Sequence, residues 1–403
     1  MNLPTTTARV PLPSRQAEVR FDASSTSAKV VNKCPRIAIA HDYLTQRGGA
    51  ERVVLSMARA FPESPIYTTL YEPESTYPEF TGLDIRVSRL NAIGVLRKNH
   101  RLALPVLSLT SSLINIDADI VVVSSSGWAH GFSTRGQKLV YCHSPARWLY
   151  QKETYLGTNP RLTQRLASEF LGKPLRRWDR KAAASCDQYL ANSSVVQERI
   201  LMTYGRESLI LPAPLSWNSS GPPSPNSKVN EWLGDEPYAL CVSRLLPYKN
   251  VDKVIEALQG VGLRLIVVGK GPEEGHLRTR ADDGVLMLSD LPEEEIRWLY
   301  SRCELLVAAS REDYGLTPIE AASFGKPSVV LRWGGFLDTV TEDETGVFFD
   351  HPSSGDIAKA VVKARSMSWN ADQIRHAAER FSEERFIHEL QGHVARLAGS
   401  AAR

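Results

Sequence analysis

At 403 residues the chain is long for a single hydrophobic core, and ordinary domain sizes make two domains the expectation. A composition of 42% apolar and 23% charged residues excludes a fibrous or largely disordered protein, and a net charge of +3 is too small to argue for nucleic acid as a partner. No apolar run reaches the roughly 18 residues of a membrane-spanning helix. The five scattered cysteines, Cys34, Cys142, Cys186, Cys241 and Cys303, lack metal-ligand spacing and suit buried thiols in a reducing, cytoplasmic compartment.

Residues 1–33, rich in Thr, Ser, Pro and Arg, read as a disordered opening segment. Their Arg and Ser content is like that of a transit peptide, but Glu18 and Asp22 argue against one, and no secretion-signal core is present. From Arg36 apolar strands alternate with helical stretches. Arg36–Ala40 is a buried strand, and His41 to Arg52 leads through a loop into a helix over Ala50–Phe61. Gly48 and Gly49 stand at that helix start, where the lack of a Cβ lets a diphosphate approach the backbone; the plainer alternative is a tight turn. The loop has no Gly-Lys-Ser or Gly-Lys-Thr and is not a Walker loop. Further strands are Ile120–Val123, Leu139–Cys142 and Gln188–Ala191. His143 ends the second of these, at the edge where open α/β sheets bind ligands. The alternative is a histidine bonded to a nearby carbonyl, and His130 is a weaker candidate of the same kind. Arg86, Arg89, Arg97, Lys98, Arg101, Arg161, Arg165, Lys173, Arg176, Arg177, Arg180 and Lys181 concentrate in this half, several beside apolar residues, as in Ile93–Lys98 and Leu171–Trp178. Such segments can rest on an anionic membrane surface, or can be solvated helix faces.

After Leu209–Leu211, Ser216–Asn230 is dominated by Ser, Pro, Asn and Gly and reads as a flexible excursion at a boundary. This places one domain at 34–212 and a second at 213–385, with a helix over 386–403 that can cross back to the first. The second half restarts the alternation with strands at Tyr238–Val242, Leu263–Val268, Val285–Leu288, Leu305–Ala309 and Ser328–Leu331. Arg244 and Lys249 follow the first of these and are two cations able to hold one diphosphate and to stabilise it as a leaving group. Val268–Gly275 has the wrong glycine spacing for a dinucleotide fingerprint and is at most a turn lining a nucleotide pocket. Glu312 and Glu320 lie eight positions apart behind Leu305–Ala309. Between them the amides of Gly315, Leu316 and Thr317 enter a helix over Pro318–Gly325 and make an anion site beside two carboxylates that can grip sugar hydroxyls. Thr317-Pro318-Ile319-Glu320 is also a capping box, with Thr317 as cap and Glu320 at the third helical position. A solvated loop residue is the alternative for Glu312. The whole pattern predicts an α/β protein of two doubly wound parallel-sheet domains facing a cleft.

Three motifs in order carry a resemblance: Arg-Gly-Gly-Ala-Glu-Arg at 47–52, Ser-Arg-Leu-Leu-Pro-Tyr-Lys-Asn at 243–250 and Glu-Asp-Tyr-Gly-Leu-Thr-Pro-Ile-Glu-Ala-Ala at 312–322. From Arg36 to about His393 the chain resembles the retaining nucleotide-sugar glycosyltransferases of family 4, which implies the GT-B fold of two Rossmann-like domains. The resemblance puts Glu320 on the donor's ribose hydroxyls, Glu312 on the transferred sugar, Arg244 and Lys249 on the diphosphate, Gly48 and Gly49 in the glycine loop, and His143 near the reacting sugar. His-Ser-Pro-Ala-Arg-Trp at 143–148 and Glu-Asp-Tyr-Gly-Leu-Thr-Pro are most similar to bacterial mannosyltransferases that use GDP-mannose to build polysaccharide or lipid-linked glycans. Arg332–Asp338 departs from that pattern in its bulk at Phe336 and Leu337. The implied reaction is metal-independent transfer of a hexosyl unit, with retained α configuration and no cofactor, to a saccharide or polyprenyl-diphosphate-linked acceptor. Backbone groups around Leu288–Glu294 are expected to read the base. A nucleotide-sugar epimerase of the same fold and a non-catalytic nucleotide-sugar-binding protein are the alternatives.

Overall fold

The structure, a computed structural model, describes residues 35–151, 162–215 and 221–401. The opening segment 1–33, Arg161 and residues 216–220 lie outside the described residues, as do the side chains of Arg101, Arg165 and Leu171. The first half contributes strands β1 (Ile37–His41), β2 (Ile66–Thr68), β3 (Ile85–Val87), β4 (Asn115–Ile116), β5 (Ile120–Ser125), β6 (Ser133–Thr134), β7 (Gln137–Cys142), β8 (Gln188–Ala191) and β9 (Ser208–Ile210). Seven of them form a parallel sheet in the order β3-β2-β1-β5-β7-β8-β9, while β4 and β6 pair separately. The second half contributes β10 (Tyr238–Val242), β11 (Arg264–Val268), β12 (Val285–Leu288), β13 (Leu305–Ala308), β14 (Ser328–Leu331) and β15 (Gly346–Phe349), ordered β12-β11-β10-β13-β14-β15 and also parallel.

These strands are continuous apolar runs because helices cover both faces of each sheet. In the first sheet Ile39, Val122 and Leu139 point to one side, and Ala38, Ala40, Val121, Val123 and Val140 to the other, each set in its own core. The second sheet divides likewise, Cys241, Val267 and Val307 against Leu240, Ile266 and Leu306. The helices used below are α1 (Gly49–Ala60), α2 (Leu104–Leu113), α3 (Leu162–Ala184), α4 (Ser194–Tyr204), α5 (Ser227–Leu233), α6 (Glu293–Arg302), α7 (Leu316–Ser323) and α8 (Glu383–Ala401). The end of the stretch read as a flexible excursion is therefore helical: the Asn226 side chain accepts from the Val229 amide at 3.1 Å and starts α5.

Helix α8 belongs to the core of the first sheet. Phe386, Leu390 and Val394 are buried among Ile39, Val122 and Leu139, and Gln391 Nε2 donates to the Ala60 carbonyl at 2.9 Å. The chain thus passes between the halves twice, and the two passes touch where the Leu215 amide donates to the Phe381 carbonyl at 2.7 Å. The four described cysteines, Cys142, Cys186, Cys241 and Cys303, are buried and unpaired. In both sheets the order reverses direction once, between β1 and β5 and between β10 and β13. At such a switch point neighbouring loops leave in opposite directions and open a crevice beyond the strands' carboxyl ends. The loops after β1 and β10 hold Gly48, Gly49, Arg244 and Lys249, and the loop after β13 holds Glu312 and Gly315.

Candidate active site

On the second sheet, Asn250 ties the two switch-point loops together. It sits in the left-handed region (φ 53°), and its Nδ2 donates to the Ala309 carbonyl at 2.8 Å and to the Tyr248 carbonyl at 3.3 Å. This brings Lys249, at the end of β10's loop, onto Glu312, beyond the end of β13. Lys249 Nζ donates to Glu312 Oε1, which also accepts from Ser310 Oγ at 2.8 Å. With exposures of 10% and 21%, the pair is shielded enough to stay formed, yet borders solvent on one side. Arg244 does not join it. That side chain is exposed and reaches the Tyr248 hydroxyl at 3.4 Å, while Lys249 Nζ lies 5.2 Å from the centre of the Tyr248 ring, so the two diphosphate candidates share Tyr248 but not Glu312.

Helix α7 starts earlier than the capping-box reading allows. Its cap is Gly315, at φ 88°, with no side chain bonded to it, and Thr317 is already inside the first turn. Glu320 is the fifth helical residue, too far along to close a capping box. The reason lies in tertiary packing: Gly315 turns in the left-handed region beneath Phe336, whose ring a Cβ on Gly315 would meet at 2.5 Å. The bulk noted at Phe336 is the lid of this turn. The amides of Gly315, Leu316 and Thr317 have no protein acceptor among the described residues, which leaves three N–H donors at the positive end of α7. Glu320 Oε2 accepts from the Tyr300 hydroxyl at 2.5 Å. Burial holds its carboxyl above the ordinary range, against the pull of Tyr300 and the charge of Arg52.

Between the two glutamates' anchor points, Asp313 turns the other way and meets the first domain. Arg147 Nε donates to Asp313 Oδ2 at 2.6 Å, and Arg199 Nη1 donates to Oδ1 at 2.5 Å. Burial works against the Arg147 charge, and Asp313 more than compensates, raising that guanidinium above its usual value. Ser193 Oγ donates to the Asp313 carbonyl at 2.5 Å, and Ser194 donates through its amide and hydroxyl to Asp338 Oδ2 at 2.8 and 3.0 Å. A further bridge joins Arg52 of α1 to Glu293 of α6 at 2.9 Å.

The first sheet supplies the opposite wall. Gly48 caps α1, and Gly49 is its first residue, so close to the other domain that a Cβ there would lie 3.2 Å from Leu316 Cδ1. The glycine loop and the α7 amides therefore face one another. His143 follows β7; its Nε2 lies 2.8 Å from Ser124 Oγ, and its carbonyl accepts from Asn192 Nδ2 at 3.3 Å. Burial, then the charge of His41, pushes its imidazole down to about 3, so it is neutral at physiological pH. His130 is turned inward instead, 2% exposed and 3.1 Å from Asp179, and takes no part in the cleft. The loop at Val268–Gly275 braces its neighbour: Leu245 donates to Lys270 and Ser243 to Val268 through backbone bonds of 2.8 and 3.0 Å, holding Arg244 and Lys249 in place from behind. Sequence reasoning missed Arg147, Arg199, Ser310 and Asn250. Arg147 and Asn250 stood inside quoted motifs, which was their only signal.

The family model described as glycosyltransferase family 4 matches residues 47–211, and that of glycosyl transferases group 1 matches residues 224–381, together well over half of the chain. The alpha-1,3/1,6-mannosyltransferase ALG2 of Dictyostelium discoideum is 24% identical, over 90% of this chain and 98% of its own length. A GDP-mannose-dependent alpha-(1-6)-phosphatidylinositol monomannoside mannosyltransferase of Mycolicibacterium smegmatis is 31% identical over 147 residues, 32% of this chain and 38% of its own length. Among solved structures, HepE of Anabaena in complex with UDP and glucose superposes with a TM-score of 0.67 at 17% identity, covering 90% of this chain and all of its own.

Proposed function

Because the chain belongs to the family 4 and group 1 glycosyltransferases and has their GT-B fold, we propose that it moves a mannosyl unit from GDP-mannose, with retained α configuration and without a divalent metal, to a saccharide hydroxyl. The observation that carries the sugar assignment is the likeness to a mannosyltransferase along nearly its entire length. The chemistry rests on the cleft. A donor diphosphate entering between the glycine loop and α7 meets the amides of Gly315, Leu316 and Thr317, with Lys249 and Arg244 within reach of its outer oxygens. Lys249 would share its charge between Glu312 and the phosphate, which stabilises the leaving group as the glycosidic bond lengthens. Glu312, held by Ser310, would grip the sugar, and Glu320 the ribose hydroxyls. His143 would orient the sugar from the opposite wall. The acceptor hydroxyl would attack from the leaving-group face, the departing phosphate taking its proton, while the closed contact of Asp313 with Arg147 and Arg199 excludes water. Thermal-shift titration with GDP-mannose, UDP-glucose and ADP-glucose tests the donor: GDP-mannose should raise the melting temperature with concentration, and no response to any of the three would sink the reading.

The acceptor fits a polyprenyl-diphosphate-linked saccharide at the inner face of the cell membrane, with the protein peripheral to it. Among the described residues no helix is long and apolar enough to cross a membrane. Ile93, Val95, Leu102, Leu109 and Leu113 are 50–75% exposed, close in sequence to the exposed cations Arg89 and Lys98. Trp178 Nε1 of α3 donates to Ser112 Oγ of α2 at 2.8 Å, which joins this apolar face to the exposed Lys173, Arg177, Arg180 and Lys181. Arg97 contributes less, being paired with Glu72 at 3.2 Å. Flotation with anionic vesicles is expected to carry the protein up and neutral vesicles to leave it behind; indifference to lipid charge counts against the membrane assignment.

A further inference from the structure

Behind His143 the first sheet carries a buried chain of polar groups. His41, the last residue of β1, and Glu51, in the first turn of α1, are 2% and 1% exposed. The β1–β5 register sets His41 opposite Ser124. His41 Nδ1 lies 3.2 Å from the Ser124 carbonyl oxygen and 3.1 Å from its Oγ, and His41 Nε2 lies 4.0 Å from Glu51 Oε1. A carbonyl and a carboxylate can only accept. The carbonyl therefore places a proton on His41 Nδ1, while Nε2 faces the Glu51 carboxylate at ion-pair distance, beyond hydrogen-bond reach. Burial opposes a charge on this ring, and Glu51, with Asp42 and the Ser124 carbonyl, more than offsets it, so His41 sits above its ordinary value. The Nδ1–H donates to Ser124, whose hydroxyl accepts it and directs its own proton to its other neighbour, His143 Nε2. A ring nitrogen that accepts carries no proton, so the single proton of neutral His143 is on Nδ1. Among the described residues that Nδ1 has no protein partner, and His143 is only partly buried.

We propose that Glu51, acting through His41 and Ser124, is a positioning residue that holds His143 in the Nδ1–H tautomer, so that His143 offers the substrate a hydrogen-bond donor and not a base. The inference rests on the function proposed above for the identity of that substrate. Its origin in the sequence is the Gly-Gly-Ala-Glu run. Gln46 Nε2 donates to Glu51 Oε1 at 3.0 Å, while Glu51 Oε2 is buried without a partner and lies against Gly48, where a Cβ would stand 2.5 Å from it. Gly49 thus lets the loop come close to Leu316 across the cleft, and Gly48 makes room for the carboxylate beneath it. A buried carboxylate needs a counter-charge, and among the described residues Glu51 has its ion-pair contact with His41.

Protein labelled with nitrogen-15 histidine and long-range proton–nitrogen correlation read the tautomer with no substrate present, the His143 signals being assigned by their loss in His143→Gln. The wild type should show a protonated Nδ1 and a bare Nε2 on His143. Ser124→Ala, which removes only the hydroxyl, and Glu51→Gln, which keeps the shape but not the charge, should populate the other tautomer. Both should lower kcat for GDP-mannose turnover about tenfold while KM stays within about twofold. A protonated Nε2 in the wild type overturns the proposal, as does an unchanged tautomer or an unchanged kcat in Ser124→Ala. The expected spectrum in protein that turns over no nucleotide sugar supports the relay and overturns the function instead.

Discussion

The wall of the cleft built by the first sheet and the wall built by the second treat polar groups in opposite ways. On the first, Asp42 accepts from the amides of Ser126, Trp128 and Ala129 at 2.6 to 3.0 Å and from Ser125 Oγ at 3.2 Å, and His41, Ser124 and His143 are linked to one another. Nearly every group there has its partner before any ligand arrives. On the second, among the described residues, Arg244 lies exposed, three amides lack acceptors, and Lys249 is held by Glu312 alone among charged groups. The first wall is organised by folding, and the second keeps donors open that, on the function proposed above, the donor's diphosphate would fill. A transferase that must place a sugar accurately and then release a charged nucleotide has use for both: fixed dipoles cost no reorganisation during the reaction, and exposed cations can let go. Asp313 fastens the two walls together, and breaking that fastening is the largest perturbation on offer. Asp313→Asn leaves Arg147 and Arg199, 29% and 16% exposed, without the carboxylate they share. Losing one side of a buried ion pair costs about 3 to 5 kcal/mol, and partial exposure of Arg147 favours the lower figure. Urea unfolding measures this; a loss below about 1 kcal/mol would mean that the walls are held by other contacts.

The difference between the walls also separates two cations of the same motif. On the function proposed above, Lys249→Met removes the partner of Glu312 and a charge beside the diphosphate together, so kcat/KM for GDP-mannose should fall roughly a hundredfold. Arg244→Met removes an exposed, loosely held charge, and about tenfold is expected. Steady-state kinetics on both variants decides the point. Equal losses would show that Arg244 is as well placed in the donor complex as Lys249, and that the second wall is more ordered than it is without ligand.

Much of this architecture was legible in the chain because parallel strands buried on both faces are written as uninterrupted apolar runs, and because the residues after β1, β10 and β13 cluster glycine, cations and carboxylates within a few positions. What was not legible depended on neighbours distant in sequence. The start of α7 at Leu316 follows from Phe336 closing over Gly315, whereas the local signal Thr-Pro-Ile-Glu favoured a start two residues later. Asp313 and its arginines are 166 and 114 positions apart, and only domain docking pairs them. The link from Glu51 to His143 needs the register of β1, β5 and β7, because alternation along a strand gives a face and never a partner.

The smallest expected effect tests whether the first wall is indeed set by folding alone. His143 is pushed down to about 3 by burial and by His41, whereas in the unfolded chain it takes a proton near the ordinary histidine value of about 6.5. Between those values the unfolded state binds more protons than the folded one, so stability falls as pH drops from about 6.5 toward 3. A single group can contribute at most about 1.4 kcal/mol per pH unit in that window, and contact with solvent will reduce this. His41 has the opposite sign: its value is raised, so its contribution is complete below about 6.5 and is lost only as pH rises through the folded value. It therefore adds little slope on the acid side. Urea unfolding of the wild type and of His143→Gln at pH 7, 6 and 5 should show the wild type losing stability more steeply, with the variant's relative standing improving toward pH 5. Parallel curves would mean that His143 takes up its proton in the folded state as readily as in the unfolded chain, and that this wall also waits for ligand to settle it.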